Sequence, residues 1–128
     1  MPKKILIIED DIDLVESMRL TLEKEGFVVI DAQDGKEGLA KIKTDKPDLV
    51  LLDVMMETQD EGFRVAYQIR KDKETTALPI IMLTAVSQKT GFPFDKDKDG
   101  EFLPVNEFIE KPINPDTLIK IVKTQLGL

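Results

Sequence analysis

Short, unbroken runs of branched apolar residues that recur between longer segments of helical periodicity restrict this chain to β-α architectures. The runs fall at residues 5–8, 28–30, 49–52 and 80–83, with a weaker one at 108–109. Runs 5–8, 49–52 and 80–83 are continuous rather than alternating. They therefore predict strands covered on both faces, as a parallel sheet requires. Each intervening segment has to supply a crossover, right-handed by the general rule, and five such strands make a doubly wound α/β sheet in one domain spanning residues 1–128.

Helix signals fill the gaps. Residues 13–25 carry Leu14, Met18 and Leu22 on one face, open with an Asp13-x-x-Glu16 capping pattern and stop at Gly26. Residues 34–43 repeat the capping pattern with Asp34 and Glu37 ahead of Leu39 and Ile42, and residues 62–71 carry Phe63, Ala66 and Ile69. Asn114-Pro115 sets an N-cap before a proline at the first helical position, and Leu118, Ile121 and Val122 form the buried stripe of a last helix. Between residues 87 and 106 the alternation fails. Gly91, Pro93, Gly100 and Pro104 interrupt any helix longer than about two turns, and mostly loop is expected there.

Composition narrows the chemistry. The 128 residues include neither cysteine nor histidine, which removes thiolate and imidazole nucleophiles, disulfides and zinc-thiolate sites. With 18 basic against 25 acidic residues the formal net charge is -7, so a broad basic face for nucleic acid or anionic lipid is not expected, whereas divalent cations and basic partners fit. No signal-peptide core or membrane span is present in the sequence, and a cytoplasmic setting is expected.

Ligands of doubly wound sheets gather beyond the carboxyl ends of the strands. There the predicted strands end in Glu9-Asp10-Asp11, Asp53, Thr84 and Lys111-Pro112. Carboxylates drawn from separate strands to one edge repel one another and raise each other's pKa unless a cation compensates, and a hard, oxygen-seeking ion such as Mg2+ is the natural occupant. Asp53 is then a candidate nucleophile toward a phosphoryl group, with the Thr84 hydroxyl and Lys111 ammonium to meet phosphoryl oxygens. Taken alone, Glu9 to Asp11 read equally as acids that cap the first helix.

Ile-Leu-Ile-Ile-Glu9-Asp10-Asp11, Leu-Leu-Asp53-Val-Met-Met, Met-Leu-Thr84-Ala and Phe-Ile-Glu-Lys111-Pro112 together resemble the receiver domains of two-component response regulators, in the same order and over almost the whole chain. The resemblance implies a flavodoxin-like strand order 2-1-3-4-5. It implies that Glu9, Asp10, Asp53 and the Met55 backbone carbonyl hold Mg2+, that Asp53 is the phospho-acceptor, and that Asp11 is a neighbour rather than a ligand. Thr84 and Phe108 would be the switch pair. Lys111 would contact the phosphoryl group, next to a cis bond to Pro112.

The sequence departs from the family in two places. The proline usual shortly after the acceptor is absent, and a slightly longer acidic stretch with Glu57 and Asp60 stands there. The spacing from Thr84 to Lys111 also exceeds the family's, so that the helix normally found between strands four and five, the family's helix four, is expected to be remodelled or replaced by a loop. Within this segment Asp95, Asp97, Asp99 and Gly100 match the first half of an EF-hand loop, a candidate Ca2+ site, although its twelfth position is Asn106 instead of a bidentate glutamate.

Three functions compete. The reading preferred is a stand-alone phospho-acceptor in two-component phosphorelay signalling, phosphorylated on Asp53 by a histidine kinase or phosphotransfer protein and read by a downstream protein target, with no separate substrate and no direct contact with nucleic acid or membrane. A phosphohydrolase working through an aspartyl phosphate would need a second acid two residues after the nucleophile, where Met55 stands. A phosphorylation-independent receiver-like binding module, with or without the Ca2+ loop, leaves Asp53, Thr84 and Lys111 without a purpose.

Overall fold

The structure, a computed structural model, describes residues 2–53, 61–84 and 105–128. Five parallel strands, β1 (Lys4–Ile8), β2 (Val28–Ala32), β3 (Leu49–Asp53), β4 (Ile80–Thr84) and β5 (Glu107–Glu110), form one sheet in the order β2-β1-β3-β4-β5. Four helices are described: α1 (Ile12–Lys24), α2 (Gly35–Asp45), α3 (Glu61–Lys71) and α4 (Pro115–Gln125). The expected doubly wound α/β sheet and its strand order are therefore found. The family's helix four, expected to be remodelled or replaced, would fall in residues 85–104, outside the described residues.

Burial explains the continuous runs. Every residue of β3 and β4 is buried, as are residues 5–8 of β1, whereas the edge strands β2 and β5 are only partly covered. Alternate residues of the inner strands feed two cores. Ile5, Ile7, Leu49, Leu51, Ile81 and Leu83 pack with Val15, Met18 and Leu22 of α1 and Leu118 and Val122 of α4. Leu6, Ile8, Val50, Leu52, Ile80 and Met82 pack with Ile42 of α2 and Val65, Ala66 and Ile69 of α3. The hydrophobic driving force acts on both faces at once, which leaves only the strand ends for polar chemistry.

The helix ends follow the sequence with one correction. α2 starts at Asp34, whose Oδ1 accepts from Glu37 N at 2.8 Å, and α4 starts at Asn114, whose Oδ1 accepts from Asp116 N at 2.9 Å and Thr117 N at 3.1 Å. α1 is capped by Asp11 rather than by the expected Asp13: Asp11 Oδ1 accepts from Leu14 N at 3.1 Å, and Asp13 lies inside the first turn. Two acids within reach of one helix start compete for the cap, and the one with extended backbone geometry takes it.

Downstream, Asn106 fixes where the chain rejoins the sheet. Its Oδ1 accepts from Ile80 N and from Arg70 Nη2, both at 2.8 Å, and its own N–H donates to Ile80 O at 2.8 Å. The residue at the twelfth position of the EF-hand-like spacing is thus engaged with the sheet. The candidate ligands Asp95, Asp97 and Asp99 lie outside the described residues. Among the described residues no helix is long and apolar enough to cross a membrane.

Gly38 sets how closely α2 approaches β1. A Cβ there would lie 2.4 Å from Ile8 Cδ1 and 2.8 Å from Ile8 Cγ1, in a fully buried side chain. Overpacking of this kind costs about 1–3 kcal/mol, against about 1 kcal/mol gained by replacing glycine with alanine in a helix. Gly38→Ala is therefore expected to lower stability in urea melts, and Ile8→Val in the same chain to restore part of the loss. An unchanged or higher midpoint would contradict this close approach.

Candidate functional site

The sheet places its polar residues at the point where the strand order reverses. β1 and β3 are neighbours with β2 and β4 on their outer sides, so their carboxyl ends open on a shared crevice. Glu9 follows β1 directly and is held there by its N–H, which donates to Ala32 O at 3.0 Å. Asp53 is the last residue of β3. Both are 2% exposed, whereas Asp10 is exposed. Carboxylate oxygens of Glu9, Asp10 and Asp53 lie within 4.8 Å of one another.

Lys111, just beyond β5, is the counterion. Its N–H donates to Thr84 O at 2.6 Å, which ties it to the end of β4, and its bond to Pro112 is cis. Its Nζ is 3.0 Å from Glu9 Oε1, an ion pair rather than an aligned hydrogen bond, and 3.4 Å from Asp53 Oδ1. The other oxygen of Glu9, Oε2, accepts from the N–H groups of Asp10 at 3.0 Å and Asp11 at 3.3 Å. Thr84 is fully buried at the end of β4, and its Oγ1 has no hydrogen-bond partner among the described residues. A buried hydroxyl without a partner is costly, so this one is suited to an acceptor that arrives from outside the protein.

The electrostatics follow from this crowding. Burial, and then the neighbouring Asp53 carboxylate, raises Glu9 above its ordinary pKa, with Lys111 pulling against them. Partial desolvation followed by the proximity of Glu9 raises Asp10. Burial by itself would lower Lys111, but its contacts with Glu9 and Asp53 outweigh that and hold the ammonium above its ordinary value. Among the described residues, three carboxylates thus face one ammonium. All the donors are hard oxygens, two of the carboxylates are withdrawn from water, and the excess charge is negative, so the residues present fit a small divalent cation.

Glu9, Asp10, Asp53, Thr84 and Lys111, named from sequence, are therefore brought to one edge. Asp11 stands aside as the cap of α1. Phe108, the other half of the expected switch pair, lies half-buried on β5 opposite Met82, against the core on the α2 and α3 side. Met55 lies outside the described residues, as do Glu57 and Asp60. Sequence reasoning gave Lys111 to an incoming phosphoryl group and missed its pairing with Glu9. No local pattern marks that pair, because the two residues meet only through the stacking of four strands.

Known proteins resemble this chain in sequence and in fold. The model of the response regulator receiver domain family matches residues 5–123. Protein PilH of Pseudomonas aeruginosa is 32% identical over 124 residues, covering 97% of this chain and 98% of its own. The alkaline phosphatase synthesis transcriptional regulatory protein PhoP of Bacillus subtilis is 40% identical over 126 residues, 98% of this chain but 49% of its own length, so the chain spans about half of that relative. In solved structures, the Vibrio cholerae chemotaxis protein CheY4 superposes with a TM-score of 0.82 at 30% identity, covering 97% of this chain and 98% of that one. A response regulator receiver domain protein from Methanospirillum hungatei gives 0.81 at 29%, covering 99% and 95%.

The raised carboxylates carry a pH signature. Unfolded, Glu9 and Asp10 release their protons near the ordinary values of 4.5 and 3.8, whereas the folded protein holds them to higher pH. Just above those values the folded state binds more protons, so without metal this pair makes stability fall as pH rises through that window. Urea melts in a chelator should show a shallower fall in Glu9→Gln than in the parent chain. Equal slopes would remove Glu9 as a source of the effect.

Proposed function

The chain belongs to the response regulator receiver domain family, and from that premise we propose that residues 1–128 form a phospho-acceptor domain in which Asp53 takes a phosphoryl group from a histidine kinase or phosphotransfer protein. The observation that carries the proposal is the position of Asp53: buried at the end of β3, 3.4 Å from the Lys111 ammonium and beside two further carboxylates. In the transfer, an Asp53 carboxylate oxygen forms a bond to phosphorus while the P–N bond of the donor phosphohistidine breaks, and the imidazole leaves with the electron pair. The donor histidine lies outside these 128 residues, which contain none.

Each neighbouring side chain has work to do in that reaction. The Lys111 ammonium, shared between Glu9 and Asp53 before transfer, neutralises a phosphoryl oxygen after it. The Thr84 hydroxyl, without a partner among the described residues, donates to a second oxygen, which draws β4 toward the acceptor and changes the space open to Phe108 on the adjacent strand. A downstream protein then reads the altered face near β5. Glu9, Asp10 and Asp53, with the Met55 carbonyl, would hold Mg2+, which when bound supplies positive charge for the phosphoryl oxygens.

Intact-mass measurement after incubation with acetyl phosphate tests the proposal. One phosphoryl group is expected on the parent chain with Mg2+, far less without it, and none on Asp53→Asn. Incorporation that persists in the asparagine variant would move the acceptor elsewhere. Mg2+ alone is expected to raise the melting temperature progressively at millimolar concentration, because the unfolded chain has no assembled site. A melting temperature indifferent to Mg2+ would argue against a resident cation.

A further inference from the structure

The outer side of β2 is closed by two cations that reach it from opposite faces of the sheet. β2 is an edge strand whose ladder partner among the described residues is β1: Val28 N donates to Lys3 O at 2.9 Å, and Ala32 O accepts from Glu9 N. Successive residues of a strand turn their amide groups to opposite sides, so Val29 and Asp31 point theirs away from β1. Outward-facing groups of this kind are what an edge uses to recruit another strand. Arg19 of α1 donates Nη1 to Val29 O at 2.8 Å and pairs through Nη2 with the Asp31 carboxylate. Lys41 of α2 donates Nζ to Asp31 O. The two helices lie in different layers, α1 with α4 and α2 with α3, so the edge is gripped from both.

We infer that Arg19 and Lys41 guard the β2 edge against antiparallel pairing with β2 of a second copy of this chain. A second copy is the fitting occupant, since a twofold axis beside an edge strand sets identical residues against each other. β2 has five residues, an ordinary length for a ladder, and its Val28 is 41% exposed. Without the two cations, the outward carbonyls of Val29 and Asp31 have to be satisfied by water or by the amides of another strand. Long cationic side chains are a general means of blunting edges, and here each is tethered by a helix already packed on the sheet.

Sedimentation equilibrium of the parent chain and of Arg19→Ala/Lys41→Ala tests the guard, at about 0.3 M salt so that like charge between copies is screened. The parent chain is expected to remain monomeric. The double variant should approach about a twofold mass as concentration rises, with hydrogen exchange at the Val29 and Asp31 amides slowing in the associated form. Circular dichroism checks that the variant is folded. If it is not, Lys41→Met, which keeps the Arg19 contacts, decides by showing the same association at higher concentration. A folded variant that stays monomeric, a dimer that leaves exchange at Val29 and Asp31 unchanged, or a parent chain already paired through β2 would each overturn the inference.

Discussion

A carboxylate at the end of a strand that is buried on both faces cannot be left to water, and the rest of this site is arranged around that requirement. Asp53 reaches its position because β3 is apolar throughout and its final residue is carried to the rim of the sheet. Glu9 arrives beside it because β1 and β3 are neighbours. Bringing the two acids together raises the cost of ionising Glu9, and Lys111 offsets part of it while approaching both. A site that, among the described residues, has excess negative charge, one shared ammonium and a buried hydroxyl without a partner is prepared for an incoming cation and an incoming anion together.

That arrangement depends on parts of the protein far from the rim. The register of β1 with β3 sets Ile8 against Leu52, so that the next residues, Glu9 and Asp53, emerge together. Gly38 lets α2 close on Ile8, and Asn106 with Arg70 locks the beginning of β5 against β4. β5 in turn carries Lys111 to Thr84 O. Packing on both faces therefore acts as positioning: a shift of one residue in any of these ladders would take a polar group from the rim into the core or the reverse.

Much of the site was legible in the sequence because it lies where apolar runs stop. The endings at Glu9, Asp53 and Thr84 are each visible as a change from branched apolar to polar residues, and Lys111 follows the change at Glu110 by one residue. That such endings share one edge follows from parallel strands with right-handed crossovers. Less legible was the division of labour among neighbouring acids. Asp11 and Asp13 look equivalent as caps, because the choice depends on backbone angles at one turn. Arg19 and Lys41 gave no signal, since exposed cations on amphipathic helices are ordinary and only the edge position of β2 assigns them a partner.

The sequence by itself determined that this chain forms a parallel α/β sheet and that its chemistry is confined to carboxylates, hydroxyls and amines, because strand burial is written in continuous apolar runs and the absence of cysteine and histidine removes the alternatives. Tertiary structure alone decided that one ammonium is shared between Glu9 and Asp53, and that the Thr84 hydroxyl has no partner among the described residues. Those facts are distances between residues on different strands, and such distances are set by the order in which strands pair, which a linear pattern does not encode.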